Sequence, residues 1–329
     1  MRRARVIGSG VAGLCVATEL VARGVEVTVF DHANGPGPQG CSWWAGGMLA
    51  PFCEGESAEE SVVRLGQDAA AWWARQGVEV THRGTLVIAL GRDHRELDRF
   101  ARRVTGHERL DAGGVAALEP DLDGRFERAL HISDEAHVDP RAALTHLRAR
   151  LAAAGVSFVA ERAEIEVEAE GLTFDCRGLA ARDALPDLRG VKGEMAVLKS
   201  DEIRLSRPVR LLHPRFPLYV VPRGDGVFML GATQIESDDR RRSVRSVLEL
   251  LSAAYALHPA FGEAELLEIG VDARPAFPDN LPRLSRRGDT IHVNGLFRHG
   301  FLLAPALARM AVEAAMEGSK PEFWHENHD

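Results

Sequence analysis

Six residues near the N-terminus, Gly8-Ser9-Gly10-Val11-Ala12-Gly13, leave this chain few folds to choose from. They stand between an apolar strand and an apolar helix, and a turn at Gly24, a second apolar strand and the acid Asp31 follow in register. Each glycine has a physical task. Gly8 makes the tight turn, Gly10 lets backbone approach a pyrophosphate, and Gly13 lets helix and strand pack closely. The helix that follows aims its free N–H groups and the positive end of its dipole at phosphate. Asp31, about eighteen residues past Gly13, stands where a carboxylate accepts both ribose hydroxyls and repels a 2′-phosphate. The run therefore reads as a dinucleotide site rather than as a ligand-free glycine turn.

Arg2, Arg3 and Arg5 ahead of apolar residues imitate a secretory leader, but Glu19 and Arg23 interrupt the apolar run and the glycines hold fingerprint positions. The N-terminus is expected to be fold, not address. No apolar run approaches the roughly 20 residues that span a bilayer, so a soluble, cytoplasmic protein without membrane contact is expected. At 329 residues and 45% apolar content, two domains can each fill a core. A formal charge of −8 disfavours broad binding to nucleic acid. Cys15, Cys41, Cys53 and Cys176 lack metal or disulfide-framework spacing. His325 and His328 imitate a metal pair without ligand-spaced partners, so no metal is expected and they read as a solvated tail.

Along the chain, Gly and Pro crowd residues 34–40, and Ser57 to Gln76 reads as one helix with a broad apolar face. Gly84 to Leu90 alternates as a strand, and Asp93 to Val104 is a charged surface helix. Asp139 with Pro140 opens a helix that Gly155 ends. Val156 to Ala160 and Leu172 to Cys176 read as strands returning to the first sheet. From Val191 to Thr233 several short β runs lie between Pro and Gly, the pattern of antiparallel sheet. Ser243 to Leu257 reads as a helix, Thr290 to Asn294 as a strand, and a last helix spans Pro305 to Met316. The expected class is α/β: a discontinuous Rossmann-type nucleotide domain (1–80, 139–185 and 285–329) carrying an inserted, antiparallel-β-rich substrate domain (81–138 and 186–284).

The C-terminal run Asn294-Gly295-Leu296-Phe297-Arg298-His299-Gly300-Phe301-Leu302-Leu303-Ala304-Pro305 makes a resemblance specific. Taken with the fingerprint, Gly46-Gly47-Met48-Leu49-Ala50-Pro51, Val191-Lys192-Gly193-Glu194-Met195, Tyr219-Val220-Val221-Pro222-Arg223, Gly231-Ala232-Thr233 and Arg274-Pro275, it resembles the FAD-dependent D-amino-acid oxidase family. Within it, the glycine oxidases of the thiamine-biosynthesis type are most similar. The likeness covers nearly the whole chain. It departs at Asp272-Ala273-Arg274-Pro275, where the family's strand reads Gly-Leu-Arg-Pro.

This resemblance implies FAD, and small residues would let backbone lie against a flat tricycle. Gly46, Gly47 and Met48 form one such segment, which alone would pass for an ordinary turn. Leu296, Phe297, Arg298, His299, Gly300, Phe301 and Leu302 form the other, and the helix that follows would bring its positive dipole end to the reduced flavin. By resemblance Val11 and Ala12 meet the pyrophosphate, Asp31 and His32 the ribose and adenine end, and Cys41 and Ser42 the phosphate side. Some relatives attach flavin through a cysteine after the second arginine. Residues 298–305 contain none, so noncovalent FAD is expected.

An amino-acid substrate carries a carboxylate, which a planar guanidinium grips bidentately. All but three of the 40 basic residues are arginine, so any one of them is by default a surface residue. Motif position singles out Arg274 as the family's carboxylate-binding arginine, Arg298 as the second arginine beside it, and Tyr219 as the phenol that bonds the same group. No catalytic side chain is expected, because hydride leaves the α-carbon for flavin N5 while the nitrogen lone pair stabilises the iminium. His299 accordingly reads as flavin-lining rather than as a base. The implied reaction is oxidation of glycine with O2 to glyoxylate, ammonia and H2O2, or delivery of dehydroglycine to a thiazole synthase. A D-amino-acid or sarcosine oxidase or dehydrogenase is the alternative. A quinone-linked dehydrogenase would need a membrane anchor that is not visible, a tRNA-modifying flavoprotein fits the acidic balance poorly, and a flavin module without catalysis would not need Arg274, Arg298 and Tyr219. A homo-oligomer, by resemblance a tetramer, is expected.

Overall fold

The computed structural model describes residues 2–161, 171–215 and 217–325. The chain opens with β1 (Arg3–Ile7), α1 (Val11–Ala22) and β2 (Glu26–Asp31). Two-residue strand β3 (Met48–Leu49) and helices α2 (Pro51–Glu54), α3 (Glu60–Gly66) and α4 (Ala69–Arg75) follow. Next come β4 (Thr85–Ala89), α5 (His94–Ala101), β5 (Glu108–Asp111), α6 (Ala112–Leu118), β6 (Arg128–Ile132) and β7 (Ala136–His137). Helix α7 (Pro140–Ala153) leads to β8 (Ser157–Ala160), β9 (Leu172–Asp175), β10 (Arg189–Lys199), β11 (Val209–Leu212), β12 (Leu218–Pro222), β13 (Val227–Gly231) and β14 (Ile235–Glu236). Then α8 (Val244–Leu257), β15 (Glu265–Ala276), β16 (Arg283–Arg287), β17 (Thr290–Asn294), α9 (Gly300–Glu317) and β18 (Trp324–His325) complete it.

Local chemistry sets several of these boundaries. Asp139 caps α7 by accepting from the Arg141 and Ala142 amides at 2.7 and 3.1 Å, with Pro140 in the first turn. Ser243 caps α8 through the Ser246 amide. Gly8 turns the chain out of β1 at φ +101°, and a Cβ there would lie 2.6 Å from the Cys176 carbonyl. A Cβ on Gly13 would strike the Gly8 carbonyl, so α1 can lie against β1 only with glycine at both places.

Seven strands form the first sheet in the order β18-β16-β17-β9-β1-β2-β8. Its centre, β17-β9-β1-β2-β8, is parallel throughout, the mark of a Rossmann-type layer. Helices α1, α7 and α9 share its apolar core with Trp72, Trp73 and Phe174. A second sheet runs β14-β10-β13-β12-β11-β4-β6-β5, with β15 on the other side of β10. It has its own core beneath α8. Its pairings are antiparallel except β4 with β11, which is parallel.

Three expectations are corrected. The single helix over 57–76 is two helices, α3 and α4, broken at Gln67 and Asp68. Gly66 ends α3 because a Cβ there would lie 2.8 Å from Leu302, so the apolar face bends around α9 instead of continuing straight. The last helix begins at Gly300, not Pro305. Proline cannot donate to the Phe301 carbonyl one turn back, and the Trp73 indole N–H donates to it instead at 2.9 Å. Finally, the C-terminal residues do not run straight into solvent, because β18 pairs with β16 through Trp324 and His325. His328 lies outside the described residues.

Candidate active site

A cavity of about 1080 Å³ is bounded by both sheets. Every residue singled out from the sequence lines it except Gly13, whose place is behind Gly8. Around one end stand Gly8, Gly10, Val11, Ala12, Asp31, His32, Cys41 and Ser42; around the other stand Gly46, Gly47, Met48, Tyr219, Arg274 and the run from Leu296 to Leu302. Among the described residues no cluster of His, Cys, Asp or Glu could hold a metal ion. No helix of the described residues is long and apolar enough to cross a membrane.

At the N-terminal end, side chains fix the backbone around the cavity. Gly10 gives α1 no side-chain cap, and Ser42 reaches across to take the Val11 amide at 3.1 Å. Asp31 accepts from the Ser9 amide and hydroxyl at 2.6 and 2.7 Å and from the Ala33 amide at 3.0 Å, which fixes its carboxylate at the tip of β2. Burial pushes the Cys41 thiol up to about 12, with Asp272 adding to the shift, so it stays protonated.

At the opposite end the glycines of the second sheet make room for functional side chains. Gly231 pairs with Tyr219 across β12 and β13, and any Cβ there would enter the phenol ring. Gly193 lies under the Arg274 guanidinium in the same way. Strand alternation turns Gly193 and Met195 toward the cavity and Lys192 and Glu194 away from it. Lys192 and Glu194 pair at 3.2 Å, and Glu194 accepts from the Ser243 amide at the start of α8. Arg223 donates to the carbonyls of Gly46 and Val138 at 2.7 and 3.0 Å, which anchors the Gly46-Gly47 turn. Burial lowers its guanidinium to about 10.

The charged groups of this end are partnered unequally. Arg298 pairs with Glu54 at 2.7 Å and donates to the Ser57 hydroxyl at 2.6 Å, and Arg210 donates to Glu56 at 2.7 Å. Arg274 donates to the Thr233 carbonyl at 3.2 Å and has no carboxylate partner among the described residues. Burial lowers its basicity, and the neighbouring Arg298 charge acts in the same direction. Tyr219 feels Arg274, Arg223, Glu54 and Arg298, but burial dominates and holds its phenol protonated. His299 is pushed down to about 4 by burial, against the pull of Glu54, so it is neutral near pH 7. It serves poorly as a proton carrier there.

Not every feature of the site had a signal in the sequence. Glu54 ends the four-residue helix α2, and a lone acid on so short a helix has no diagnostic spacing. Gly193 and Gly231 stood in conserved-looking motifs by resemblance, yet what they clear space for is visible only across strands. Phe297 adopts φ +49°, a costly conformation for a non-glycine residue, inside the run that lines the cavity.

Known proteins resemble this chain along nearly its whole length. The family model described as FAD dependent oxidoreductase matches residues 3–314. A Rhizobium etli protein named as a thiamine biosynthesis oxidoreductase, ThiO, is 54% identical over 328 residues, covering 97% of this chain and 98% of that protein. A Bacillus licheniformis glycine oxidase is 25% identical across 98% of this chain and 95% of its own length. The crystal structure of glycine oxidase from Geobacillus kaustophilus superimposes with a TM-score of 0.80 at 21% identity, covering 98% of this chain and 97% of that one.

Proposed function

The chain belongs to the FAD dependent oxidoreductase family, and from that premise we propose that it oxidises glycine by removing a hydride from the α-carbon. Glycine, O2 and water then give glyoxylate, ammonia and H2O2, or the imine passes to thiazole formation in thiamine biosynthesis. The residues present fit FAD. Gly8 and Gly13, where a Cβ would strike backbone, keep the turn and α1 close to β1, Gly8 and Gly10 line the cavity, and Asp31 closes β2 beside them. Val11, Ala12, Cys41 and Ser42 would hold the phosphates, His32 the adenine end, and Gly46, Gly47, Met48 and Leu296 to Leu302 the ring. Held there, FAD would supply the hydride acceptor and the redox chemistry that links it to O2. With no cysteine in residues 298–305, its attachment would be noncovalent.

The observation that carries the reading is Arg274: a guanidinium on the glycine floor of Gly193, without a carboxylate of its own, beside a protonated phenol. Arg274 grips the substrate carboxylate and Tyr219 donates a further bond to it, while Arg298 stands at the same end paired with Glu54. Anchoring the carboxylate orients the α C–H, a proximity effect. Neutral His299 excludes water and moves no proton. The 54% identity to a thiamine biosynthesis oxidoreductase supports the pathway, and the name glycine oxidase among relatives supports the substrate. Anaerobic glycine is expected to bleach the flavin absorbance of the purified protein; bleaching by D-alanine or sarcosine without glycine would transfer the assignment. Arg274→Ala is expected to raise KM for glycine at least about tenfold with FAD retained, the worth of a charge-assisted hydrogen bond, and loss of flavin instead would remove Arg274 from the substrate site.

A further inference from the structure

Among the arginines that line the cavity, Arg210, Arg274 and Arg298 stand near Glu54 and Tyr219. Two have carboxylates supplied by one short stretch of chain. Glu54 takes Arg298 at 2.7 Å and Glu56 takes Arg210 at 2.7 Å. Glu54 itself lines the cavity and is only 14% exposed along its side chain. Its Oε2 also lies 3.4 Å from His299 Nδ1. Burial alone would raise the Glu54 carboxyl, but Arg298, His299 and Arg210 together hold it below its ordinary value, so it stays charged. Of these three, Arg274 alone has no carboxylate partner among the described residues, and Arg298, whose charge it feels, is already neutralised by the protein's own acid.

We propose that Glu54 is a specificity-determining residue that occupies Arg298 and so limits the site to amines bearing a single carboxylate. This inference rests on Arg274 being the substrate anchor. A second carboxylate on the substrate, such as the N-carboxymethyl arm of iminodiacetate, would need a second cation, and the guanidinium whose charge reaches Arg274 is that of Arg298. To reach it the incoming group must displace Glu54, leaving a buried carboxylate without its partner, which is costly. Like charges would also face each other across the cavity. Glycine meets neither penalty because its one carboxylate stops at Arg274.

The test uses the FAD-loaded enzyme and direct titration of the flavin spectrum, with acetate as the single-carboxylate probe and iminodiacetate as the double one. Wild type is expected to bind acetate and to bind iminodiacetate more weakly. Glu54→Gln keeps the side-chain shape, removes the competing charge and frees Arg298. It is expected to tighten iminodiacetate at least about tenfold relative to acetate, the size of one charge-assisted bond. Ser57→Ala removes the other hydroxyl partner of Arg298 without touching charge, and should leave the ratio unchanged. A purely structural Glu54 would weaken both ligands together. An unchanged ratio in both Glu54→Gln and Glu54→Ala, with flavin retained, overturns the proposal. If glycine fails to reduce the flavin while the ratio still shifts, the glycine assignment falls and the role of Glu54 stands. If no carboxylate perturbs the flavin in any variant, both fall with Arg274 as anchor.

Discussion

Gly193 and Arg274 show how a residue without a side chain can matter as much as one with a charge. The guanidinium lies where a Cβ on Gly193 would be, so Gly193→Ala must push it off the sheet. We expect this variant to keep FAD, because it touches neither α1 nor Asp31, and to raise KM for glycine by about tenfold or more through loss of the charge-assisted contact. Steady-state kinetics with the flavin content measured in parallel checks it. A second prediction concerns Glu135, fully buried, whose Oε1 accepts from the Cys53 amide at 2.7 Å just before Glu54. Burial pushes its carboxyl up from 4.5 to about 7, against the opposing bonds from Thr85 and Cys53. Since the folded value lies above the unfolded one, its stabilising contribution is complete below pH 4.5 and is lost as pH rises through about 7. Glu135→Gln keeps an acceptor and cannot ionise. Its melting temperature should gain on that of wild type as pH is raised from about 4.5 to 7 and hold that gain above, and a constant difference across the rise would contradict the assignment. His137 and His299, both pushed down to about 4 by burial, work in the opposite sense: their contribution is present above 6.5 and is lost as pH falls toward 4. They cancel in the comparison of the two proteins.

Among the elements, α9 departs furthest from a reading of local signals. Proline looks like a start, and the sequence places the helix at Pro305. The helix instead begins at Gly300, with the carbonyl that Pro305 leaves free taken by Trp73 from α4. The indole also stacks on Phe301, ring centroids 5.4 Å apart. The five added residues carry the positive end of the helix dipole to the cavity wall, closer than a helix starting at Pro305 could. Trp73→Phe keeps most of the stacking and removes the donor, so it should cost about 1–3 kcal/mol for an unpaired buried carbonyl. Pro305→Ala restores an amide to that carbonyl. The double variant is therefore expected to be less destabilised than the sum of the singles, a coupling that urea unfolding of the four proteins measures. Simple additivity would mean that the Phe301 carbonyl finds its partner elsewhere. The α3 and α4 break has the same origin: the apolar periodicity over 57–76 is legible, but the bend at Gly66 answers to Leu302 of a helix far along the chain.

At the scale of the molecule, the two sheets have separate cores and meet around the cavity that the cofactor is proposed to fill. Removing FAD should lower the melting temperature, and adding it back should raise it with ligand concentration, as binding to the native state alone requires. Riboflavin, which lacks the pyrophosphate and adenosine that the Gly8 to Gly13 turn and Asp31 would hold, should restore little; equal rescue by both would remove the fingerprint from cofactor binding. The sequence by itself determined the parallel nucleotide-binding layer, the cap at Asp139, and the membership of Arg274, Arg298 and Tyr219 in one family pattern. These devices depend on φ angles, missing Cβ atoms and capping groups within a few residues, so they are written locally. Only the tertiary structure decided which arginine has its charge left over. Glu54 reaches Arg298, and Gly193 clears the floor under Arg274, across chain separations that no local pattern encodes. In a buried site the free energy of a charge depends on its nearest partner in space, and the fold alone chooses that partner.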